Sequence, residues 1–402
     1  MSAANATSLN SGDKGGFAQK SQALQIVLSD DIQAAASGWK QLVAGGFGNP
    51  YQSPGWLAAW SQTIGQDLDV TPVIATVQLD DKPVLLLPLG LQNSAGTRTL
   101  SFLGYQNGNQ NTAIWDREFY RSVTERQISE VLTSVCRDAE ADLLLLQNVP
   151  ETWNGRRHPL VLDGATPSPS PIFTRRLADD FETLFRETHS KSSRKNLLRK
   201  QRHLQSVDGY RVIRAETETD LRNGFEAFLE QRSKRAQEAG IPNVFATASA
   251  RQFLERILGL AGTETAHRDL DLWFLEADGK IRSTYLCAQG GGTIHAYSNS
   301  VAHDALLPNS PGLVLIKEIV ERACSDPQTT ELDLGLGEER YKTSWAEPVP
   351  LRDSRMAVSL KGNIKKNLEA LRLQAKSAVR NSDVLWPLVR QMRRWKSAGS
   401  GS

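Results

Sequence analysis

A chain of 402 residues has room for two domains of ordinary size, and 40% apolar residues suffice for a core in each. The formal net charge of +2 names no partner class, because the basic residues are concentrated in a few stretches. Three cysteines, Cys136, Cys287 and Cys324, lie far apart in apolar runs, which excludes a disulfide framework and a cysteine metal motif and points to a reducing compartment. The six histidines are dispersed, so no metal is expected.

The first sixteen residues are rich in Ser, Ala, Asn and Gly without an apolar core, so residues 1–21 read as a disordered lead-in rather than a secretory signal. Alternation predicts a strand from Gln22 to Leu28 and a helix from Asp31 to Val43. Ser53-Pro54-Gly55 opens another helix, with Trp56 and Trp60 on one face. Val73–Leu79 and Val84–Leu91 read as a hairpin turning at Asp80-Asp81-Lys82. A strand at Thr99–Leu103, a helix near Thr124–Ala139 and a strand at Asp142–Gln147 complete a first domain, 22–165. The apolar runs Val84–Leu91 and Leu143–Leu146 are too short to span a bilayer, and a cytoplasmic protein is expected.

The Pro/Ser-rich stretch within 166–175 is read as a linker. Lys191–Arg202 is basic without an acid, with Leu197 and Leu198 on a narrow apolar stripe. It is either a solvated face or a guide for an anionic acceptor. A helix over Leu221–Ala239 puts Phe225, Phe228 and Leu229 on its core face and Arg232 and Arg235 elsewhere. Leu270–Glu276 and Lys280–Gln289 form a hairpin around Asp278-Gly279, and a strand starts at Thr293. A helix opens at Ser310-Pro311-Gly312 and a strand follows at Glu331–Gly335. Hairpin, strand, helix and strand thus occur twice, a degenerate internal duplication. The second domain is set at 176–360. The basic tail, 361–402, is expected to be helical and to lie on its own domain or make peripheral contact with the inner face of a membrane.

The chemistry concentrates after Thr293. Ser310 is a favoured N-cap residue and Pro311 suits the first helical position, while Gly312 keeps side chains away from the turn into the helix. The amides of Gly312, Leu313 and Val314, with the positive helix end, make a place for a pyrophosphate. A polar run, Asp333-Leu334-Gly335-Leu336-Gly337-Glu338-Glu339-Arg340-Tyr341-Lys342, then Trp345, lies beyond the next strand. No dinucleotide fingerprint, Walker loop, zinc-protease motif or nucleophile elbow is present.

Ser310-Pro311-Gly312 and this polar run resemble the CelD-like, or BioF2-like, acyltransferases of cellulose biosynthesis. That family belongs to the GNAT superfamily and is related to the FemAB peptidoglycan aminoacyltransferases. The resemblance runs from about residue 45 to about residue 360. It implies an α/β fold of α+β mixed sheets, with tandem GNAT-like acyltransferase domains and a C-terminal helical tail. It also implies acetyl-CoA or another acyl-CoA as co-substrate. The first copy has no Ser-Pro-Gly before its helix near Thr124, so, given the duplication, only the second is expected to hold the donor. The usual phosphate loop of the superfamily departs here, with Asn309 at its first position and Val314 at its last.

Acyl transfer to an amine needs a polarised carbonyl, a deprotonated amine and a protonated leaving thiolate. A backbone N–H of the strand at Tyr297–Ser300 is expected to serve the carbonyl, Glu338 or Asp333 the amine, and Tyr341 the thiolate. Asn309, Ser310, Gly312, Leu313 and Val314 are expected at the cofactor. Lys342, Arg194, Lys195 and Trp345 are candidates for substrate binding, although a Trp more often fills a core. His295, in mid-strand, reads as structural. The expected function is N-acyl transfer, in the first place N-acetyl transfer, to a small-molecule or lipid-linked saccharide acceptor in polysaccharide assembly, without DNA. The alternatives are a FemAB-like transferase taking its donor from tRNA and a non-catalytic accessory protein.

Overall fold

The computed structural model describes residues 6–8, 24–178, 180–262 and 268–368. They fall into two units: Ala6 to Ile172 with Val349–Leu368, and Phe173–Pro348.

In the first unit, strands β1 (Gln25–Ser29), β2 (Thr71–Leu79), β3 (Lys82–Ser94) and β4 (Thr97–Phe102) pair antiparallel in order. Helices α1 (Ala36–Gly45) and α2 (Pro54–Ser61) lie between β1 and β2 in the chain. Ser53 caps α2 through the Trp56 N–H at 3.1 Å, and Trp56 and Trp60 are buried. Helix α3 (Glu125–Asp138) then carries the chain to β5 (Leu143–Pro150), which pairs parallel to β4. A crossover helix between parallel strands is what that pairing requires. Ala6–Ser8, inside the stretch expected to be structureless, adds an antiparallel edge to β1.

The second unit repeats the plan. Strand β6 (Ile172–Arg176), helix α4 (Phe181–Thr188), helix α5 (Lys191–Gln205), strand β7 (Arg211–Arg214), helix α6 (Glu218–Ala239) and helix α7 (Ala248–Ile257) come first. Strands β8 (Asp271–Ala277), β9 (Lys280–Gly290) and β10 (Thr293–Val301) continue the antiparallel run. Helix α8 (Pro311–Cys324) crosses to β11 (Glu331–Leu336), which is parallel to β10. The sheet order is β7-β8-β9-β10-β11-β6, with β12 (Glu347–Val349) at the far edge.

The duplication extends to local detail. Both hairpins turn on two residues with positive φ, Asp80 and Asp81 in one and Asp278 and Gly279 in the other, as tight turns matching strand twist do. Both then slip register at the same distance past the turn, at Val84 and at Arg282. Each unit has its own core. Leu87, Leu100, Val131 and Leu144 belong to the first, and Leu275, Val314, Leu315, Ile319 and Leu332 to the second. Fully burying each such side chain contributes about 1.5–3 kcal/mol.

Two expected boundaries move. The 166–175 stretch is no free linker, because Thr166–Pro167 pairs with strand β13 (Leu351–Ala357) and Ile172–Arg176 is β6. The second domain ends before 360, because β13 pairs antiparallel with β5 in the first sheet, Leu351 opposite Pro150 and Ala357 opposite Leu143. Residues 360–368 are helical, and the rest of the expected tail lies outside the described residues. Among the described residues no helix is long and apolar enough to cross a membrane.

Candidate active site

Strands β10 and β11 pair over only three positions, Thr293–Glu331, Ile294–Leu332 and His295–Asp333, and then part. At the fork, His295 Nδ1 and Asp333 Oδ2 are 2.8 Å apart and both side chains are buried. The other Asp333 oxygen accepts the Gly335 N–H at 2.7 Å, with Gly335 at positive φ. That bond bends the chain leaving β11. Lys342 holds the bend from its other end, donating to the carbonyls of Leu336 (2.5 Å) and Gly335 (3.3 Å). Burial lowers the Lys342 pKa. Between these fixings the loop presents Glu339 and Tyr341.

Past the fork, β10 bulges. Ala296 faces Cys287 and Ser298 faces Leu286, so Tyr297 is the extra residue. A bulge takes one residue out of the ladder and re-aims those that follow. Asn299 then lies opposite Tyr285 of β9, and its amide donates to the Tyr285 (3.0 Å) and Tyr341 (3.2 Å) hydroxyls. The two hydroxyls are 2.6 Å apart. Burial raises both phenols above their ordinary pKa of 10.0, so both are protonated near neutrality.

Helix α8 starts without a side-chain cap, contrary to expectation. Ser310 is in the left-handed region, and its Oγ instead accepts from Lys200 Nζ of α5 at 2.6 Å. The Leu313 and Val314 amides, expected free, both donate to the Ser310 carbonyl (2.9 and 3.2 Å). Ser310 N donates to Leu307 and Pro311 has no N–H, so only the Gly312 amide lacks a partner among the described residues. A Cβ at Gly312 would come 2.8 Å from Val301 Cγ2.

These parts share one cavity of about 290 Å³. Ser310, Gly312 and Leu313 form the helix side, Tyr285, Asn299 and Val301 the floor, and Glu339, Tyr341 and Arg235 the rim opposite. A larger, open groove on the first unit, about 900 Å³, includes Asp30, Asp81 and Arg98 and none of this chemistry.

Of the residues singled out in the sequence, Ser310, Gly312, Leu313 and Tyr341 line the cavity and the others do not. Glu338 is exposed, and Glu339, one residue on, is the carboxylate that faces in. Asp333 and Lys342 brace the loop. Val314 and Trp345 are core, Trp345 stacking on Phe185 with centroids 5.8 Å apart. Asn309 ends the short helix before α8. Arg194 donates to the His189 carbonyl, stapling the turn from α4 to α5, and Lys195 is exposed. Sequence reasoning missed Tyr285, Asn299, Arg235, Glu339 and Lys200. Pairing β9 with β10 in register would have found the first two.

No curated protein sequence matches the chain. The acetyltransferase (GNAT) domain family matches residues 191–343. A crystal structure of FemX superposes with a TM-score of 0.56 at 10% identity, covering 80% of this chain and 95% of that one. A conserved protein of unknown function from Bacteroides thetaiotaomicron gives 0.50 at 12% identity, covering 83% and 99%. At such identities the likeness is one of fold. The stretch that matches the acetyltransferase (GNAT) domain, residues 191–343, contains the fork, the helix start and the phenol pair.

Proposed function

We propose that the second unit transfers an acyl group from acyl-CoA, acetyl-CoA in the first place, to the amine of a small-molecule or lipid-linked saccharide acceptor. The observation that carries this reading is the single cavity joining an uncapped helix start to a hydrogen-bonded phenol. The helix start suits a pyrophosphate. Among the described residues the Gly312 amide has no partner, a Cβ there would close the approach, and the Lys200 ammonium stands beside Ser310. CoA when bound supplies the thioester. The protein's own groups do the rest.

The hydrogen bonds at the phenols support Tyr341 as the acid. Asn299 donates to both oxygens, so of the two phenolic protons one joins the pair and one is left over. Tyr285 is the more deeply buried, so it donates to Tyr341 and leaves the Tyr341 proton for the departing thiolate. Glu339 takes the place expected of Glu338 and accepts a proton from the acceptor ammonium, directly or through water. A main-chain N–H of β10, in the stretch Tyr297–Ser300, polarises the carbonyl. Placement within the CelD-like proteins, and hence polysaccharide assembly, belongs to this proposal.

The test is thiol release from acyl-CoA of increasing chain length across a panel of amines. Tyr341→Phe should reduce kcat at least 100-fold with little change in KM for acyl-CoA. Release that is unaltered in this variant would reject the assignment. The alternative donor, an aminoacyl-tRNA, draws on the exposed basic residues Lys191, Lys195, Arg199 and Arg202 of α5. Transfer abolished by ribonuclease and indifferent to CoA would favour it.

A further inference from the structure

Helix α6 carries two arginines, one turn apart, that fold stability does not explain. Arg235 lines the cavity and faces Glu339 across 3.8 Å, a loose pair with both side chains about 40% exposed. Arg232 is half-buried beside it. Its guanidinium lies 5.5 Å from the Phe245 ring centroid and donates to the Asn299 carbonyl at 3.5 Å. No carboxylate pairs with Arg232 among the described residues. The titratable groups beside it are Arg235, which repels it, Glu339, already engaged by Arg235, and the Tyr297 phenol. His303, also on the cavity, pairs with Glu238 and adds no free acid. Arg235 lines the cavity and Arg232 lies one turn away behind it, so the two guanidinium groups share one carboxylate, and Arg232 is partly out of water. A half-buried cation without a counter-ion is costly unless something brings one. Arg forks match carboxylate and phosphate oxygens.

We propose that Arg232 and Arg235 receive an anionic group of the acceptor, so that the substrate is an amine that also carries a carboxylate or a phosphate. Glu339 receives its ammonium, and the two charges of the substrate orient the nitrogen toward Asn299 and Tyr341. This deepens the reading of the cavity as an acyl-transfer site and names the class of its second substrate.

The experiment is a thermal-shift series on the full chain at fixed ionic strength and without acyl-CoA. It compares glucosamine 6-phosphate with glucosamine and an amino acid with its methyl ester, and includes inorganic phosphate alone. CoA is run in the same plate as the control on the donor side. The anionic member of at least one pair should raise Tm by a few degrees, with its neutral partner inert, and the pair that responds tells phosphate from carboxylate. Arg235→Gln and Arg232→Gln should each abolish that shift while leaving the CoA shift intact, and Arg232→Lys should retain part of it. Equal shifts within both pairs, no shift in either, or a shift that survives both substitutions would overturn the proposal. Loss of the CoA shift in the arginine variants would also overturn it, by assigning the arginines to the donor. An absent CoA shift in the parent chain would count instead against the donor site.

Discussion

The two units have one plan and opposite endings. In the second, β10 and β11 separate after a His295–Asp333 pair and leave a cavity. In the first, β4 and β5 also pair over three positions, ending at Ser101–Leu145, but the opening beyond is filled. Asn111 fills it. Its main-chain N–H donates to the Asn148 carbonyl at 2.9 Å and its side chain to the Gln147 carbonyl at 3.0 Å, so the β5 edge is satisfied from within. Gln52 donates to the Asn111 side chain, and both are buried. The helix starts differ in the same sense. Thr124 and Gln127 form a reciprocal capping box at α3, whereas Ser310 leaves α8 uncapped. Strand β4 also pairs with β3 in unbroken register, while β10 bulges. Of two similar forks, one is filled by Asn111 and the other opens into a cavity.

The largest effect should come from breaking the fork that stays open. Asp333→Ala removes the buried partner of His295 and the acceptor for Gly335, and should cost about 3–5 kcal/mol in denaturant unfolding. A variant of normal stability that merely loses activity would instead make Asp333 a proton carrier. Tyr341 supplies the next contrast. Because burial holds its pKa above 10.0, its acid form persists as pH rises, and kcat should show no fall as pH passes through 10. A fall there would mean an ordinary phenol.

The closed copy has its own signature in acid. His158, buried and bonded to Thr112 at 2.8 Å, has its pKa pushed down to about 3 from 6.5. The unfolded chain therefore takes the proton first, and stability present above pH 6.5 is lost as pH falls below it. By pH 5 the loss should be about 2 kcal/mol, and His158→Gln should flatten that slope. The smallest effects separate the helix starts. Thr124→Ala should cost about 1 kcal/mol with no change in CoA binding. Ser310→Gly should cost nothing or stabilise by a few tenths of a kcal/mol, since its hydroxyl caps no amide and glycine relieves the left-handed backbone. Equal losses in the two variants would erase the distinction between the copies.

Much of this was legible in the sequence because it rests on local signals. Two-residue turns fixed both hairpins, and Pro311 with the spacing of Leu315, Ile316, Ile319 and Val320 marked α8. What escaped depends on long-range pairing. Strand β13 returns to β5 across some two hundred residues, and nothing in Leu351–Ala357 says which sheet will take it. Tyr285 and Asn299 meet only through the β9–β10 register. Glu339 rather than Glu338 faces the cavity because Gly335 and Gly337, both at positive φ, turn the loop. The Ser310 cap failed because its hydroxyl found Lys200, one hundred and ten residues away in the chain.

The most direct measurement is calorimetric titration of CoA into the parent chain, Gly312→Val and Thr124→Ala. The parent and Thr124→Ala should bind alike, and Gly312→Val, folded by circular dichroism, should bind at least 10-fold more weakly. Undiminished binding to Gly312→Val, or loss of binding on altering Thr124, would contradict a donor site at the open copy.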